Sequence, residues 1–152
     1  MTPSSTSRYT CVVSSPSNHA LLVEDDLGDI LLIQRALERG HFAVTLHVVQ
    51  SGQEALDFLH CRGGHSDAPR PQFIILDQHM RGMSGLDVLN AIKADVRLAS
   101  IPVVVLSTSH AEDDVVEAYR ARGNCYVCKP IGLSRVIQDI LHYFTNVALP
   151  PP

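Results

Sequence analysis

Short apolar runs in this chain lead into polar residues of a few kinds. Residues 73–76 are all bulky and apolar, and the next residue is Asp77. Three further runs lead in the same way into Glu24, Ser107 and Lys129. Continuous apolar runs of this length are typical of strands buried on both faces of a parallel sheet, and ligands bind outside the carboxyl ends of such strands. The pattern therefore predicts that acids, a hydroxyl group and one lysine meet at one edge of a sheet.

Between these runs, apolar residues recur at helical spacing. The clearest helix is predicted over about 27–39, with Ile30, Ile33 and Leu37 on one face and Gly40 as its C-terminal cap. Capping-box patterns predict where three more helices begin. They are Ser51 with Glu54, Ser109 with Glu112 in a helix that ends at Gly123, and a looser version, Ser84 with Asp87.

The remaining elements complete a regular order. Residues 44–49 alternate, as expected of a strand less buried than the others, and a last helix is predicted from about residue 133. A strand followed by a helix thus occurs five times, with connections of the length that a right-handed crossover requires. The predicted fold is α/β, with five successive βα units that contribute to a parallel sheet.

Length and composition fit one domain. The 152 residues are 45% hydrophobic, enough for a sizeable core. We expect the domain over residues 19–145, after a flexible N-terminal tail (1–18) rich in Ser, Thr and Pro. Residues 146–152 form a C-terminal extension. A net charge of -4 argues against nucleic-acid binding, and no apolar stretch or leader pattern indicates a membrane or secretion, so we expect a cytoplasmic protein.

Two groups of possible metal or redox residues are weak. Cys125 and Cys128 have the spacing of a ligand or redox pair, but three residues along a strand place side chains on opposite faces. Both are better explained as small buried apolar residues. His60, Cys61 and His65 are a similarly weak cluster in a predicted loop.

The acids at the predicted sheet edge carry more information. Glu24, Asp25 and Asp77 would lie close together, and three carboxylates resist ionisation unless a cation neutralises them. Oxygen ligands completed by water describe a Mg²⁺ site. An alternative is that acids of the first helical turn cap the helix and complement its dipole. That alternative explains Asp26 and Asp29 but not Asp77.

Lys129 and Ser107 are predicted at neighbouring strand ends. Together with a metal, they could hold the oxygens of a phosphoryl group carried on Asp77. A carboxylate accepts such a group when metal and lysine neutralise the charge on it.

These motifs together resemble the receiver domain of two-component response regulators. The residues that carry the resemblance are Leu22-Val23-Glu24-Asp25, Ile75-Leu76-Asp77, Leu106-Ser107-Thr108 and Tyr126-Val127-Cys128-Lys129-Pro130. The resemblance covers about residues 19–145. It implies a doubly wound (βα)5 three-layer sandwich with a five-stranded parallel sheet of order 2-1-3-4-5, and phosphorylation of Asp77 by a histidine kinase.

The resemblance also assigns metal ligands. Glu24 and Asp25 correspond to the acid pair of the family. Asp25 and Asp77 would bind Mg²⁺, or Mn²⁺ in its place, directly, and the backbone carbonyl of His79 would complete the protein ligands.

A second group of residues is assigned to the phosphoryl group and the switch. Ser107 corresponds to the switch hydroxyl, followed by Thr108, while Lys129 corresponds to the phosphate-binding lysine. Tyr126 corresponds to the switch aromatic residue. The bond before Pro130 is expected to be cis.

A narrower resemblance concerns partners. Residues 24–29 with Gln34, residues 124–126 and residues 147–150 resemble single-domain regulators paired with bacterial and cyanobacterial phytochromes. This implies a stand-alone regulator whose sensor histidine kinase is a bacteriophytochrome. The apolar residues 147–149, followed by three prolines, have no evident place on a completed core, so we expect a homodimer, with a solvated tail as the alternative.

Two positions depart from the family pattern. Arg81 stands where proline is common, and His79 stands where asparagine or another small polar residue is usual. The His79 side chain would lie near the path of a hydrolytic water. The alternative is a surface histidine without a role.

Two rival functions come from other classes. A phosphatase of the haloacid dehalogenase type also phosphorylates an aspartate, but it requires a second aspartate where His79 stands. A receiver-like interaction module that acts without phosphorylation is the second alternative. For the receiver itself, we expect no enzymatic activity beyond its own phosphorylation and dephosphorylation.

Overall fold

A computed structural model describes residues 18–40, 44–107, 125–128 and 138, with residues 125–128 described as backbone. The strands are β1 (His19–Val23), β2 (Thr45–Val49), β3 (Phe73–Asp77), β4 (Val103–Ser107) and β5 (Cys125–Cys128). The helices are α1 (Leu27–Gly40), α2 (Gly52–Leu59), α3 (Gly85–Ala94) and the short 3-10 helix Gly63–His65. All neighbouring strands are parallel, and their order is β2-β1-β3-β4-β5. The predicted doubly wound sheet is therefore confirmed.

Several predictions lie outside the described residues. They are most of the N-terminal tail, the helix predicted from Ser109, the extension at 146–152, and the helix predicted from about residue 133 apart from residue 138, which is helical. None of the described helices is both long and apolar enough to cross a lipid bilayer.

The sheet separates two hydrophobic cores. Ala20 and Leu22 of β1 pack in the core that contains the buried face of α1. The alternate residues Leu21 and Val23 pack in the core formed with α2 and α3. Because strand side chains alternate in direction, a strand covered by helices on both sides reads in sequence as a continuous apolar run.

Helix α1 follows its predicted pattern closely. Ile30, Ile33 and Leu37 are buried, as their spacing predicted. The helix includes Gly40 as its last residue. Its buried face fixes the direction of the chain that leaves β1, and so places the acids between β1 and α1 at the sheet edge.

Strand β2 was predicted to be less buried than the other strands, and the difference is small. All five of its residues are buried, although Thr45, His47 and Val48 keep 4–6% exposure where no residue of β3 or β4 exceeds 3%. Leu46 and Val48 pack in the α1 core, and the ring of His47 packs against Phe58 of α2 with ring centroids 5.3 Å apart. Although β2 lies at the end of the sheet, helices cover both of its faces, which alternation in the sequence does not reveal.

The two described capping boxes also differ from expectation. The Ser51 side chain accepts a hydrogen bond from the backbone N–H of Glu54, but the Glu54 carboxylate accepts from the N–H of Gln50. The box at Ser84 and Asp87, expected to be looser, has both reciprocal hydrogen bonds. It therefore fixes the start of α3, beside the carboxyl end of β3.

A pair of histidines, of which His47 is buried and His19 half-buried, joins β1 to β2. His19 Nδ1 and His47 Nε2 are 3.0 Å apart, and among the described residues His47 Nδ1 has no hydrogen-bond partner. We infer that neutral His47 carries its proton on Nε2 and donates it to His19, because a proton on Nδ1 would be buried without an acceptor. Burial, and secondarily the charge of His19, lowers the pKa of His47 from 6.5 to about 4.

This pair predicts loss of stability in mild acid. A folded-state pKa below the unfolded value means that the unfolded chain binds more protons, so the free energy of unfolding falls as the pH decreases from about 6.5 towards about 4. The loss from His47 is at most about 3 kcal/mol. Urea unfolding of wild type and His47→Leu between these pH values should give a flatter pH profile for the variant. Parallel profiles would contradict the assignment.

Candidate functional site

Three carboxylates meet where β1 and β3 end. Val23 of β1 is in register with Leu76 of β3, so that Glu24 and Asp77 follow at the same edge of the sheet. One carboxylate oxygen from each of Glu24, Asp25 and Asp77 lies within 4.8 Å of the others. Glu24 is fully buried, Asp77 is 3% exposed, and Asp25 is half-buried. Two carboxyl groups are thus removed from water beside a third.

This donor set fits a hard divalent cation. Carboxylates in low-dielectric surroundings that also repel one another are stabilised by a nearby positive charge. All three donors are oxygens, which is the chemistry that Mg²⁺, Mn²⁺ and Ca²⁺ prefer. The residues present can therefore bind a divalent metal ion.

The neighbouring acid Asp26 has a different role. Its side chain accepts a hydrogen bond of 2.8 Å from the backbone N–H of Gly28, and its carbonyl accepts one from Ile30. This is the geometry of an N-cap. The capping alternative is thus correct for Asp26, and Asp29 lies in the first turn of the same helix. It does not account for the three grouped carboxylates.

An open cleft of about 940 Å³ lies at this edge of the sheet. Its lining comes from the loops that follow β1, β2 and β3: Asp25, Asp26, Gln50, Ser51, Gln78, His79, Met80, Arg81 and Ser84. The backbone N–H of Arg81 lies 3.4 Å from Asp25 Oδ2, which links the loop after β3 to the carboxylates. A small phosphorylated donor, or the side chain of a partner protein, can approach from this side.

Ser107 is brought to the same place by β4. Leu106 is in register with Asp77, so Ser107 lies one residue beyond it on the adjacent strand. Ser107 is fully buried, and its Oγ lies 3.3 Å from Nε2 of the exposed His79 ring. From the resemblance we expected His79 to bind the metal through its carbonyl and to hold its side chain near the path of a hydrolytic water. Nothing in the local pattern indicated that its ring would reach Ser107 on another strand.

The structure describes one of the other predicted phosphate and switch residues, Tyr126, as backbone only. Thr108, Lys129 and Pro130 lie outside the described residues. Tyr126 is described as backbone on β5, in register with Val105. Its position at the end of the sheet next to β4 follows from the strand order, while its side chain is outside the description.

Gln78 is a functional candidate that the sequence did not reveal. Its N–H donates to the carbonyl of Leu106, its carbonyl accepts from Gly85, and its side-chain Oε1 accepts from the N–H of Leu86. The residue after Asp77 thus ties β3 to β4 and to the start of α3. In the sequence, a glutamine after an apolar run indicates only that a strand has ended. No sequence signal indicated the hydrogen bonds of Gln78 to β4 and α3.

Gly85 packs directly against the backbone of Asp77. A Cβ atom at Gly85 would lie 2.7 Å from the Asp77 carbonyl oxygen and 2.8 Å from Gln78 Cα, closer than real contacts allow. The first turn of α3 can therefore approach the end of β3 only because this residue has no side chain.

Gly85→Ala should destabilise the protein and disturb the carboxylates. The methyl group has to displace backbone atoms, and overpacking of this kind costs about 1–3 kcal/mol. Gly64→Ala is a matched control, because a Cβ atom there has no neighbour within 4 Å. Urea unfolding should show the loss for Gly85→Ala alone. Equal stability of the two variants would show that the close approach is unimportant.

Comparisons with known proteins agree with this geometry. A family model described as the response regulator receiver domain matches residues 20–141. The response regulator Rcp1 of Synechocystis sp. is 39% identical over 127 residues, which cover 84% of this chain and 84% of Rcp1. The structure of Mn²⁺-bound Rcp1 superposes with a TM-score of 0.81 at 36% identity, covering 89% of this chain and 99% of that one. The phosphorylated cyanobacterial phytochrome response regulator RcpA also superposes with a TM-score of 0.81, at 37% identity and the same coverage.

Proposed function

The chain belongs to the response regulator receiver domain family, and on this basis we propose that Asp77 accepts a phosphoryl group from a sensor histidine kinase. The observation that carries the proposal is the group of carboxylate oxygens of Glu24, Asp25 and Asp77 within 4.8 Å of one another. Asp77 is the last residue of a buried strand, and a cleft open to a donor lies at the same edge.

In the proposed reaction, a carboxylate oxygen of Asp77 attacks the phosphorus atom. A new P–O bond forms, and the P–N bond of the phosphohistidine donor breaks with its electron pair going to nitrogen. Because the other ring nitrogen of the donor carries a proton, the histidine leaves as neutral imidazole. Mg²⁺ held by Asp25, Asp77 and the His79 carbonyl would, when bound, neutralise negative charge on the transferred group. Glu24 adds to the negative potential that attracts this cation.

The remaining residues act on the product. Lys129 supplies a fixed positive charge to the phosphoryl oxygens, and the hydroxyls of Ser107 and Thr108 donate hydrogen bonds to them. Movement of Ser107 towards the phosphoryl group makes room for the Tyr126 side chain to change rotamer. A change of charge at Asp77 thus alters a partner-binding surface. The domain acts on no other substrate in this proposal.

The proposed partners follow from the relatives. RcpA is a phytochrome response regulator, and we extend this to a bacteriophytochrome as the kinase for this chain, in the cytoplasm. No nucleic acid or membrane surface is part of the proposal, since the net charge is -4.

A homodimer is part of the same proposal. The apolar residues 147–149 would pack across a two-fold axis against a second copy. Light scattering of the full chain at micromolar concentration should give twice the 16.6 kDa chain mass. Deletion of residues 146–152 should shift the population towards monomer. A monomeric full-length protein under these conditions would exclude the dimer.

Phosphoryl transfer can be tested without the kinase. The protein should gain the mass of one phosphoryl group when incubated with acetyl phosphate and Mg²⁺, and none when EDTA replaces Mg²⁺, since uncompensated charge opposes transfer. Intact mass spectrometry measures both. No gain under either condition would favour the alternative of an interaction module that acts without phosphorylation.

A further inference from the structure

The ring of His79 lies against the hydroxyl group of Ser107. The two residues come from adjacent strand ends, and Oγ and Nε2 are 3.3 Å apart. Ser107 is fully buried, whereas His79 is exposed at the cleft. The imidazole therefore contacts, from the solvent side, the hydroxyl that the proposed function assigns to the phosphoryl group.

The Ser107 hydroxyl cannot hydrogen-bond equally well to the His79 ring and to a phosphoryl group on Asp77. If Ser107 donates its single proton to Nε2, that proton is unavailable to a phosphoryl oxygen. If instead Nε2–H donates to Oγ, movement of Oγ towards Asp77 stretches that hydrogen bond. In either tautomer, the contact with His79 favours the position that Ser107 occupies without phosphate.

We propose that His79 is a positioning residue that holds Ser107 in its unphosphorylated arrangement, so that phosphorylation of Asp77 must break the contact between them. This inference rests on the proposed function and adds an opposing element to it. The backbone carbonyl of His79 would favour phosphorylation by binding the metal ion. Its side chain opposes phosphorylation, because it competes with the phosphoryl group for the Ser107 hydroxyl.

The placement of His79 is held by its neighbours. Gln78 is bonded to β4 and to the first turn of α3, and Arg81 N–H contacts Asp25. The loop between them is therefore tied at both ends, and the imidazole is presented to Ser107 by a restrained backbone. Asparagine at this position, the residue more usual in the family, is too short to place a polar atom where Nε2 lies.

The expected size of the effect follows from hydrogen-bond energetics. One neutral hydrogen bond changes an equilibrium constant by roughly two- to tenfold. Here the equilibrium is between Ser107 held by His79 and Ser107 turned towards Asp77. Only molecules in which Ser107 has left His79 can close fully around a phosphoryl group, so the apparent affinity for such a group is lowered by the same factor.

Beryllofluoride, which mimics a phosphoryl group bound to aspartate, provides the test. Its dissociation constant is measured by ¹⁹F NMR on the full chain with saturating Mg²⁺. His79→Phe keeps a ring but removes its nitrogens, and it should bind roughly two- to tenfold more tightly than wild type. His79→Gln, which can place a polar atom close to the position of Nε2, should remain near wild type.

The same His79 substitution in a Ser107→Ala protein distinguishes loss of the hydrogen bond from a steric effect of the new ring. In Ser107→Ala, which has no hydroxyl to hold, His79→Phe should bind beryllofluoride as tightly as the Ser107→Ala protein alone. Equal or weaker binding by His79→Phe in the wild-type background would overturn the inference, as would an undiminished gain in the Ser107→Ala background. Lack of binding by every variant would contradict the proposed function as well, whereas binding without a His79 effect contradicts this inference alone.

Discussion

Asp77→Asn is expected to abolish phosphoryl uptake from acetyl phosphate. The change keeps the size of the side chain at a position that is only 3% exposed, so the fold and the strand register should be retained. A neutral amide lacks the nucleophilic carboxylate oxygen that forms an acyl phosphate. We therefore expect a complete loss of the mass increase and not a slower reaction.

The matched control is an aspartate away from the cleft. Asp67 is exposed in the loop after the short 3-10 helix, and Asp67→Asn removes one carboxylate without touching the site. This variant should be phosphorylated at the wild-type rate. If Asp77→Asn gains the same mass as Asp67→Asn, the phosphoryl group is carried elsewhere.

Asp25→Asn is expected to have opposite effects on stability with and without metal. In EDTA, removal of one charge from three grouped carboxylates relieves repulsion, so the variant should be at least as stable as wild type. With Mg²⁺, the variant has lost a charged ligand of the metal ion. We expect the dissociation constant of its Mg²⁺ complex to rise by about tenfold or more.

Thermal unfolding during a Mg²⁺ titration measures both effects. A ligand that binds only the folded state raises the melting temperature by an amount that grows with the ratio of its concentration to its dissociation constant. Wild type should therefore gain more from Mg²⁺ than Asp25→Asn, and the order of stability should reverse between EDTA and excess metal. An unchanged Mg²⁺ response in Asp25→Asn would remove Asp25 from the ligand set.

The sequence predicted the fold well because its strands are buried on both faces. A run such as residues 73–76 is apolar throughout, so its end is sharp and the polar residue that follows is unambiguous. The helical spacing of Ile30, Ile33 and Leu37 is equally local, and all three are buried. Strand ends in a parallel sheet then determine which residues share an edge.

What the sequence did not predict depends on contacts between distant segments. The burial of β2 arises from coverage by α1 and α2, and alternation along the strand did not reveal how nearly complete it is. The full capping box formed at Ser84 and not at Ser51, since Glu54 instead accepts from Gln50. Gln78 bonds to residues 8 and 28 positions away. No local pattern encodes partners at such separations.

The central claim is that the phosphoryl group is carried on the carboxylate of Asp77. Borohydride reduces the acyl phosphate of an aspartate to homoserine, which marks the acceptor permanently in the peptide. After incubation with acetyl phosphate and Mg²⁺ and treatment with borohydride, peptide mass spectrometry should find homoserine at position 77 and nowhere else. Homoserine at another aspartate, or an intact Asp77 in protein that has gained a phosphoryl group, would contradict the account.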